Sequence, residues 1–343
     1  MTTVVSATLF PPTPHPAQDF LPSEGRPLRT TPVFETYWRF AFERQEIFFK
    51  RACGLPPPWT HDPILCSYRF TNVYRVCDRV SQYLIRRVIY EGDQSEEEIF
   101  FRVLLFKLFN RIETWELLQG GIGPVCWRTF DLDRYDRLLG DALRNGKRLY
   151  SAAYIMPCPP FEAGRKHKNH LVLLVKMMRD GLPLKVAKAR SLRDVFFLLR
   201  SYPSVGDFLA YQFAIDLNYS PLVSFSEMDF VVAGPGARSG IRKAFHDTCE
   251  LSDEDLIRAV TEHAAREFER RALEFRVLWG RPLQLIDCQN LFCEVDKYSR
   301  VAHPEISPSS RTRIKQRFVP GPRPTPQWYP PKWGLRPETC ALV

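Results

Sequence analysis

Apolar residues recur at helical spacing in one segment of the chain after another, and this periodicity restricts the fold more than any other feature. The segment FETYWRFAFERQEIFFKRACG begins at Phe34, spaces its aromatic residues three and four positions apart, and stops at Gly54. The segments FTNVYRVCDRVSQYLIRRVIY and EEEIFFRVLLFKLFNRIETWELLQ show the same spacing, and the second is the most hydrophobic stretch of the sequence. We therefore predict an all-α protein with about nine or ten helices in one compact domain.

Composition divides the 343 residues into three parts. Residues 1–30 are rich in proline, threonine and serine without any period, so we predict that they are disordered. Residues 31–305 carry the helical pattern and are expected to form the folded domain. Residues 306–343 are basic and rich in proline. Their tryptophan and tyrosine residues favour a tail that lies on the domain, and a disordered basic tail is the alternative.

The net charge of +9 favours a polyanionic partner, although a basic protein without any nucleic acid partner has the same composition. The sequence has no signal-peptide core and no apolar run long enough to span a membrane. Its nine cysteines are odd in number and include no CxxC pair, which is typical of reduced thiols in an intracellular protein. We predict a soluble nuclear or cytoplasmic protein without a membrane partner.

Residues 195–243 contain the main candidate for a binding element. Two apolar helices flank the turn Tyr202-Pro203-Ser204-Val205-Gly206, and the second is expected from Asp207 to about Leu217. The free N–H groups of a helix N-terminus bind phosphate oxygens, and glycine in the turn lets a phosphate approach closely. We predict that Ser204, Val205 and Gly206 grip a DNA backbone. An ordinary helical hairpin is the alternative.

Two acidic residues, Glu227 and Asp229, follow the second helix of this hairpin. A carboxylate that returns to the same groove can stabilise a developing cation, or take a proton from an attacking water or amine. We predict that Asp229 is the catalytic residue, with Glu227 as its competitor. A helix cap or a salt-bridge partner is the alternative for both.

The segment GPGARSGIRK places Arg238, Arg242 and Lys243 on a glycine-rich loop that leads into a helix. Such a loop suits a phosphate or pyrophosphate group, and a solvated basic loop is the alternative. The spacing GxxxxGK[ST] of a nucleotide-binding loop is absent, so the sequence does not predict a kinase.

Polar residues inside otherwise apolar helices form a further candidate set. Burying a charge in such a helix is costly unless the charge is paired, so we interpret these residues as a structural network of mutual partners. The alternative is that they line a pocket. In a pocket, Tyr74 or Trp115 would stack on an extruded base. The candidate pocket residues are Asn72, Tyr74, Arg75, Asp78, Asn110 and Trp115. The histidines and cysteines lack metal-ligand spacing, so we predict neither a metal site nor a cofactor.

The hairpin and the segment after it resemble a known module. YPSVGDFLAYQFAIDLNY followed by SEMDFVVAGPGA is similar to the hairpin-and-aspartate module of helix-hairpin-helix DNA glycosylases. The chain resembles one branch of this group more closely. That branch is the α-glutamyl/putrescinyl-thymine pyrophosphorylase group, together with the helical domain of phage 5-hydroxymethyluracil DNA kinases. The segments that carry this likeness are FETYWRFAFERQEIFFKR, YRFTNVYRVCDRVSQYLI, FKLFNRIETWELL, DFVVAGPGARSGI and LQLIDCQNLFCEVDKYSR, within residues 34–305.

The resemblance implies a helix-hairpin-helix DNA glycosylase-like helical domain over residues 31–305 that acts on a modified thymine flipped from DNA. In that group an amine displaces pyrophosphate from a 5-pyrophosphoryloxymethyl-uracil base, so DNA and an amine or amino acid are the implied partners. Asp229 would be the catalytic acid/base. Ser204 replaces the first glycine of the usual L-P-G-x-G, and no lysine stands just before Gly206, which argues against Schiff-base lyase chemistry.

Two hypotheses for the function follow. The first is a DNA-base-processing enzyme that acts on 5-hydroxymethyluracil or its pyrophosphorylated form, either as a pyrophosphorylase-like transferase or as a glycosylase. Another protein would then supply the phosphorylated base. The second is a non-catalytic DNA reader or adaptor of the same fold. A structural helical protein without a DNA partner is a weaker third option.

Overall fold

The computed structural model describes residues 19–22, 26–306, 313–319, 321 and 326–337. Within these ranges the chain forms helices, and its extended pairings are isolated β-bridges rather than strands of a sheet. The all-α prediction is confirmed. The described chain has 14 α-helices, more than the sequence pattern predicts, because several long apolar segments are broken into shorter helices. One such break lies at Asn110, where a left-handed backbone conformation with φ of 49° interrupts the most hydrophobic segment of the sequence.

The α-helices are α1 (Pro32–Ala52), α2 (Pro63–Ser67), α3 (Arg79–Tyr83), α4 (Glu96–Phe109), α5 (Ile112–Ile122), α6 (Leu132–Arg144), α7 (Lys166–Arg179), α8 (Leu182–Ala187), α9 (Leu192–Arg200), α10 (Asp207–Asn218), α11 (Pro235–Ala244), α12 (Asp253–Glu262), α13 (Ala264–Arg270) and α14 (Leu285–Ala302). A π-helical segment spans Leu84–Ile89. Short 3₁₀ turns span Arg75–Cys77, Pro304–Ile306 and Pro331–Trp333.

Two compact units divide the described chain. The first comprises the described residues up to Arg75, those from Ala233 to Gln327 and those from Leu335 onward. It contains α1, α2 and α11 to α14. The second comprises Val76–Val232 and Trp328–Gly334, and it contains α3 to α10. The single domain predicted over residues 31–305 therefore corresponds to most of these two units.

In the first unit α11 packs along α14 at backbone contact distance. A methyl group added at Gly240 would lie 2.1 Å from the carbonyl oxygen of Phe292, and one at Gly236 would lie 2.3 Å from Sγ of Cys293. The two glycines are four residues apart, so they share the helix face turned to α14. Glycine at these positions is what allows the two helices to come this close.

The segment GPGARSGIRK is therefore not the glycine-rich loop that the sequence analysis predicts. It is helical from Pro235, which occupies the first turn of α11 after the N-cap Gly234. Proline suits the first turn of a helix because the N–H that it lacks has no intrahelical partner there.

The N-terminal segment predicted to be disordered is ordered in part. Phe20 and Leu28 are fully buried, and each donates its backbone N–H to the carbonyl of the other, at 2.9 and 2.8 Å. The ring of Phe20 packs against Phe34 of α1 and against Phe245. Residues 1–18 and 23–25 lie outside the described residues.

The second unit is built around α4, in which every residue from Glu98 to Phe109 is buried. The carboxylate of Glu98 accepts the backbone N–H of Trp127 at 2.7 Å. Nε of Arg102 donates to the carbonyl oxygen of Val88 at 2.8 Å. Charged side chains in this apolar helix are thus each held by hydrogen bonds, as their burial requires.

The described residues of the C-terminal tail are divided between the two units. In the first unit the backbone N–H of Phe318 donates to the carbonyl oxygen of Ser67 at 3.0 Å. Residues 328–334 pack on the second unit. The ring of Trp328 meets that of Tyr90 edge to face, with 4.8 Å between centroids. Nζ of Lys332 donates to the carbonyl oxygen of Ser220 at 2.8 Å. Residues 307–312, 320, 322–325 and 338–343 of the predicted tail lie outside the described residues.

Within the described part of the chain no helix is both long and apolar enough to cross a bilayer.

Seven described cysteines are free thiols, and Cys53 forms a disulfide, so the expectation of reduced thiols is wrong at that position. The nuclear or cytoplasmic location stays a prediction.

Substitution of Gly240 by alanine tests the close packing of α11 on α14. The methyl group would meet backbone atoms that no side-chain rotation can move, so we expect Gly240→Ala to lower the free energy of unfolding by about 3 kcal/mol. Gly120→Ala is the matched control, because this exposed glycine of α5 has no atom within 4 Å of an added methyl group. It should leave stability unchanged or raise it by up to about 1 kcal/mol. Urea unfolding followed by circular dichroism measures both, and equal stability of the two variants would contradict the packing role.

Candidate functional site

The hairpin predicted from the sequence is present in the second unit as α9, a short turn and α10. The side chain of Ser191 caps α9 by accepting the backbone N–H of Asp194 at 3.0 Å. In the turn the backbone N–H of Val205 donates to the carbonyl oxygen of Tyr202 at 3.2 Å. The hydroxyl of Tyr202 donates to Oδ2 of Asp180 at 3.0 Å, which fixes the turn to the C-terminal end of α7.

The left-handed residue of the turn is Ser204, with φ of 63°, and not its glycine. Gly206 has φ of −75° and ψ of 174°, which any residue can adopt. Oγ of Ser204 donates to the carbonyl oxygen of Cys158 at 3.2 Å. A methyl group at Gly206 would meet no atom within 4 Å, so glycine there leaves open space at the start of α10.

The N-terminus of α10 offers backbone donors to an external acceptor. Gly206 is its N-cap and provides no side-chain cap for the first N–H groups, which are those that phosphate oxygens accept. Asp207 at the first helical position forms an ion pair with Arg200. That arginine offsets the negative charge which Asp207 would otherwise present to a phosphate. The DNA contact predicted for Ser204, Val205 and Gly206 stays a prediction.

A buried ion pair joins α4 to α10, the second helix of the hairpin. Nζ of Lys107 lies 3.1 Å from Oδ2 of Asp216, and the two side chains are 4% and 0% exposed. The ammonium also donates to Oδ1 of Asn110 at 2.8 Å and lies 5.0 Å from the centre of the Tyr154 ring. Carboxylate, amide oxygen and aromatic face together replace the water that the ammonium loses on burial.

Further polar groups extend this pair. The hydroxyl of Tyr154 donates to Oε1 of Gln212 at 3.2 Å, and its ring meets Phe208 edge to face at 5.5 Å. Trp115 packs edge to face on Phe106 at 5.9 Å, and its buried Nε1 has no hydrogen-bond partner among the described residues. We call the following five residues the Lys107 cluster: Lys107, Asn110, Tyr154, Gln212 and Asp216.

Only one member of this cluster, Asn110, is among the residues predicted from the sequence. Trp115 is also predicted but lies outside the cluster as defined. The members that sequence reasoning missed are Lys107, Tyr154, Gln212 and Asp216. A signal for two of them was present, because a lysine stands in the most hydrophobic segment and an aspartate in the apolar run DFLAYQFAIDLN. Charges in such helices require partners, but the sequence does not show that these two are partners of each other.

The segment that carries the two candidate acids returns to the hairpin. The ring of Phe230, next to Asp229, packs against Phe196 of α9 at 5.1 Å and against Tyr211 of α10 at 5.9 Å. Glu227 is buried, whereas Asp229 is exposed. The catalytic roles predicted for both residues stay predictions.

The basic residues predicted to bind phosphate lie on α11, in the first unit. Nζ of Lys243 lies 2.9 Å from Oδ1 of Asp296 and is buried. Burial raises the pKa of Asp296, but hydrogen bonds from Ser239, Lys243 and Arg300 outweigh it, so the net pKa shift is downward. The ammonium of Lys243 is thus engaged by a carboxylate that stays ionised.

The other two basic residues of α11 differ in their surroundings. Arg238 lies 3.7 Å from Asp253 and 3.9 Å from Glu254, and its Nε donates to the carbonyl oxygen of Ala233. Arg242 is exposed. Phosphate binding by these three residues stays a prediction, and it requires a phosphate to compete with carboxylates at Arg238 and Lys243.

The remaining pocket candidates contact other parts of the folded chain, and their role in a pocket stays a prediction. Oδ1 of Asn72 accepts from Arg44 at 3.0 Å. The hydroxyl of Tyr74 donates to the carbonyl oxygen of Arg281 at 2.8 Å. The backbone N–H of Arg75 donates to Oδ1 of Asp287 at 2.9 Å. Asp78 is the N-cap residue of α3, without a capping hydrogen bond from its side chain.

Comparison with known sequences identifies the family. Residues 31–308 match the family described as the helical domain of 5-hmdU DNA kinase. The chain belongs to this family. The resemblance noted in the sequence analysis is thereby confirmed at the level of the family.

A relative in this family is the 5-hmdU DNA kinase of Bacillus phage SP10. It is 29% identical over 302 residues, which cover 81% of this chain and 47% of the phage protein. The chain thus spans about half the length of the curated relative that it matches. No solved structure matches the chain.

Separate and combined substitutions test the Lys107–Asp216 pair. Lys107→Met leaves the Asp216 carboxylate buried without its cation, and we expect a loss of about 3–5 kcal/mol in the free energy of unfolding. Asp216→Leu should cost a similar amount, and the double variant should regain much of the loss because no charge is left buried.

The exposed pair Arg87 and Glu91, 2.6 Å apart, provides the matched control. The same substitutions there should change stability by less than about 1 kcal/mol. Urea unfolding of all six variants measures the coupling. A double variant at Lys107 and Asp216 as unstable as the sum of its single variants would contradict a coupled pair.

Proposed function

We propose that the chain binds DNA that contains 5-hydroxymethyluracil, or a phosphorylated form of that base, and acts on the modified base. The observation that carries the proposal is the family match over residues 31–308, whose description refers to a 5-hmdU DNA kinase. The name of the phage relative refers to the same substrate. The net charge of +9 is consistent with a DNA partner.

The hairpin supplies a grip on the DNA backbone in this proposal. The uncapped N–H groups at the start of α10 would donate hydrogen bonds to one phosphate, and the open space at Gly206 would let it approach the backbone. Such a contact positions the duplex without reading its sequence. Recognition of the base must therefore come from other side chains.

The Lys107 cluster, with Trp115 beside it, supplies groups that suit a pyrimidine base. The edge of uracil presents an N–H donor between two carbonyl acceptors, and the side-chain amides of Asn110 and Gln212 each carry a donor and an acceptor. A base that uses these acceptors would replace the hydrogen bonds that they now receive from Lys107 and Tyr154. Nε1 of Trp115 is a further buried donor. An enzyme that works on a base in duplex DNA has to extrude it into such a set of groups.

Two reactions are proposed for the extruded base. In the first, an amine forms a C–N bond at the 5-methylene carbon while the C–O bond to pyrophosphate breaks, and Asp229 takes the proton that the amine loses. In the second, water attacks the sugar carbon and the glycosidic bond breaks, with Asp229 as the general base. Both reactions assign the role of the base to Asp229, and both follow the resemblance to helix-hairpin-helix glycosylases and pyrophosphorylases.

A non-catalytic reader is the second candidate, and the exposure of Asp229 favours it. Catalytic carboxylates that act as bases are commonly desolvated, since burial adjusts their proton affinity. A reader needs only the grip of the hairpin and the recognition of the base.

Duplexes that differ at one base distinguish these functions. Thymine, 5-hydroxymethyluracil and 5-pyrophosphoryloxymethyl-uracil are placed at the same position and incubated with the protein, with ATP or with an amine such as putrescine. Nucleosides are then analysed by mass spectrometry. An amine adduct indicates the transferase, a lost base indicates the glycosylase, and a phosphorylated base indicates a kinase.

We expect tighter binding of one modified duplex than of the thymine duplex, and a modified product that Asp229→Asn lowers by about 10²- to 10⁴-fold without weakening binding. Preferential binding without any product would support the reader. Equal affinity for all three duplexes, together with no product, would contradict the proposed function.

Gly206→Ala tests the grip separately from the chemistry. The added methyl group meets no protein atom, so stability should hold, but it occupies the space through which a phosphate would approach α10. We expect duplex affinity to fall by about tenfold, which corresponds to the loss of one charge-assisted contact. Gly120→Ala is again the control and should bind as the wild type does. Titration of a fluorescein-labelled duplex followed by anisotropy measures both, and unchanged affinity of Gly206→Ala would exclude this phosphate site.

A further inference from the structure

A cationic cavity of about 430 Å³ lies in the second unit, lined by residues of α6, of the segment before α7 and of α7 itself. Its charged lining consists of four basic residues and one acidic residue, namely Arg137, Arg144, Arg165, Lys168 and Asp136. An adjoining cavity shares Arg165 and adds Arg148 and Lys166. None of these residues belongs to the sites predicted from the sequence.

The positive charge of this cavity is only partly compensated. Lys168 lies 3.4 Å from Asp136, and Arg144 forms an ion pair with Asp141. Neither Arg137 nor Arg165 is in salt-bridge contact with a carboxylate of the described chain, and both are exposed. Two guanidinium groups are thus left to attract an anion, and guanidinium suits phosphate because it can donate two parallel hydrogen bonds.

Hydrogen bonds from the buried side chain of Asn169 hold the backbone around Arg165 in place. Oδ1 of the buried Asn169 accepts the backbone N–H groups of Phe161 and Ala163, each at 3.2 Å, and its Nδ2 donates to the carbonyl oxygen of Arg165 at 3.0 Å. A methyl group added at Gly140 would lie 2.6 Å from Nη1 of Arg165. The absence of a side chain at Gly140 therefore gives this guanidinium its place against α6.

The same segment of chain connects the cavity to the hairpin. The carbonyl oxygen of Cys158 accepts the hydrogen bond from Ser204 in the hairpin turn. Ala163, which lines the cavity, follows five residues later. Five extended residues span at most about 18 Å, so the cavity lies within a few base-pair steps of a duplex gripped at the turn.

We propose that this cavity binds a backbone phosphate of the same DNA that the hairpin grips, with Arg137 and Arg165 as its ligands. This inference rests on the proposed function and adds a second contact point to it. Two contacts fix the direction of the duplex on the second unit, which a single phosphate contact leaves free to rotate. A free phosphate compound, such as a nucleoside triphosphate, would present the same chemistry and is distinguished by the test.

The salt dependence of DNA binding tests the proposal. Anisotropy titrations of a 20-base-pair duplex at several salt concentrations are made with the wild type, Arg137→Gln and Arg165→Gln. Each substitution removes one phosphate contact, so the slope of log K against log [salt] should become shallower by about 1, and affinity near 0.1 M salt should fall about five- to tenfold. Arg86→Gln, which removes an exposed arginine of the π-helical segment without a carboxylate partner in the described chain, should bind within about twofold of the wild type.

Gly140→Ala tests whether DNA binding depends on the position of the Arg165 side chain or only on the net charge of the protein. Its methyl group displaces the flexible guanidinium of Arg165 while the charge of the protein stays the same. We expect it to weaken duplex binding by about as much as Arg165→Gln, by about five- to tenfold, whereas attraction by overall charge alone predicts no change. Thermal unfolding of every variant shows whether the fold is retained.

The outcomes separate this inference from the proposed function. If the wild type binds the modified duplex and the arginine variants bind equally well with an unchanged slope, the cavity is not a DNA contact, while the proposed function stands. If ATP or pyrophosphate binds the wild type but not Arg165→Gln and the salt slope for DNA is unchanged, the ligand is a free phosphate compound. A wild type that binds no duplex overturns both proposals.

Discussion

The ion pair between Lys107 and Asp216 is the interaction on which the second unit depends. Two charges are removed almost completely from water there, and the cost is offset only because each finds the other and because Asn110 and Tyr154 complete the shell of the ammonium. The pair fixes α10 against α4, the most buried helix of the unit. The position of α10 in turn determines where its N-terminus and the hairpin turn present their backbone donors.

One connecting segment contacts all three candidate features of this unit. Tyr154 belongs to the Lys107 cluster and donates to Gln212, Cys158 accepts a hydrogen bond from the hairpin turn, and Ala163 lines the cationic cavity. The segment has few helical residues, so its conformation comes from these side-chain contacts and from the buried Asn169 rather than from a regular backbone pattern. Under the proposed function, changes in this segment should alter base recognition and backbone binding together.

Local features of the fold could be predicted from the sequence, and features that depend on distant partners could not. The helical spacing predicts the all-α class and the hairpin helices, since both depend on residues a few positions apart. The segment from Gly234 to Lys243 contains glycine and proline, which are typical of a loop, yet α14 makes it a closely packed helix. In the hairpin turn Ser204, and not Gly206, has the left-handed conformation. Lys107 and Asp216 stand far apart in the sequence, and only the folded chain shows that they meet.

The proposed function depends on extrusion of the modified base, and fluorescence of 2-aminopurine placed beside that base reports this step. The probe is quenched by stacking, so it brightens when its neighbour leaves the helix. We expect the fluorescence to increase severalfold when the wild type saturates a duplex that contains 5-hydroxymethyluracil or its pyrophosphorylated form, and to change little with thymine at the same position. Saturated complexes of all three duplexes that leave the probe equally quenched would contradict it.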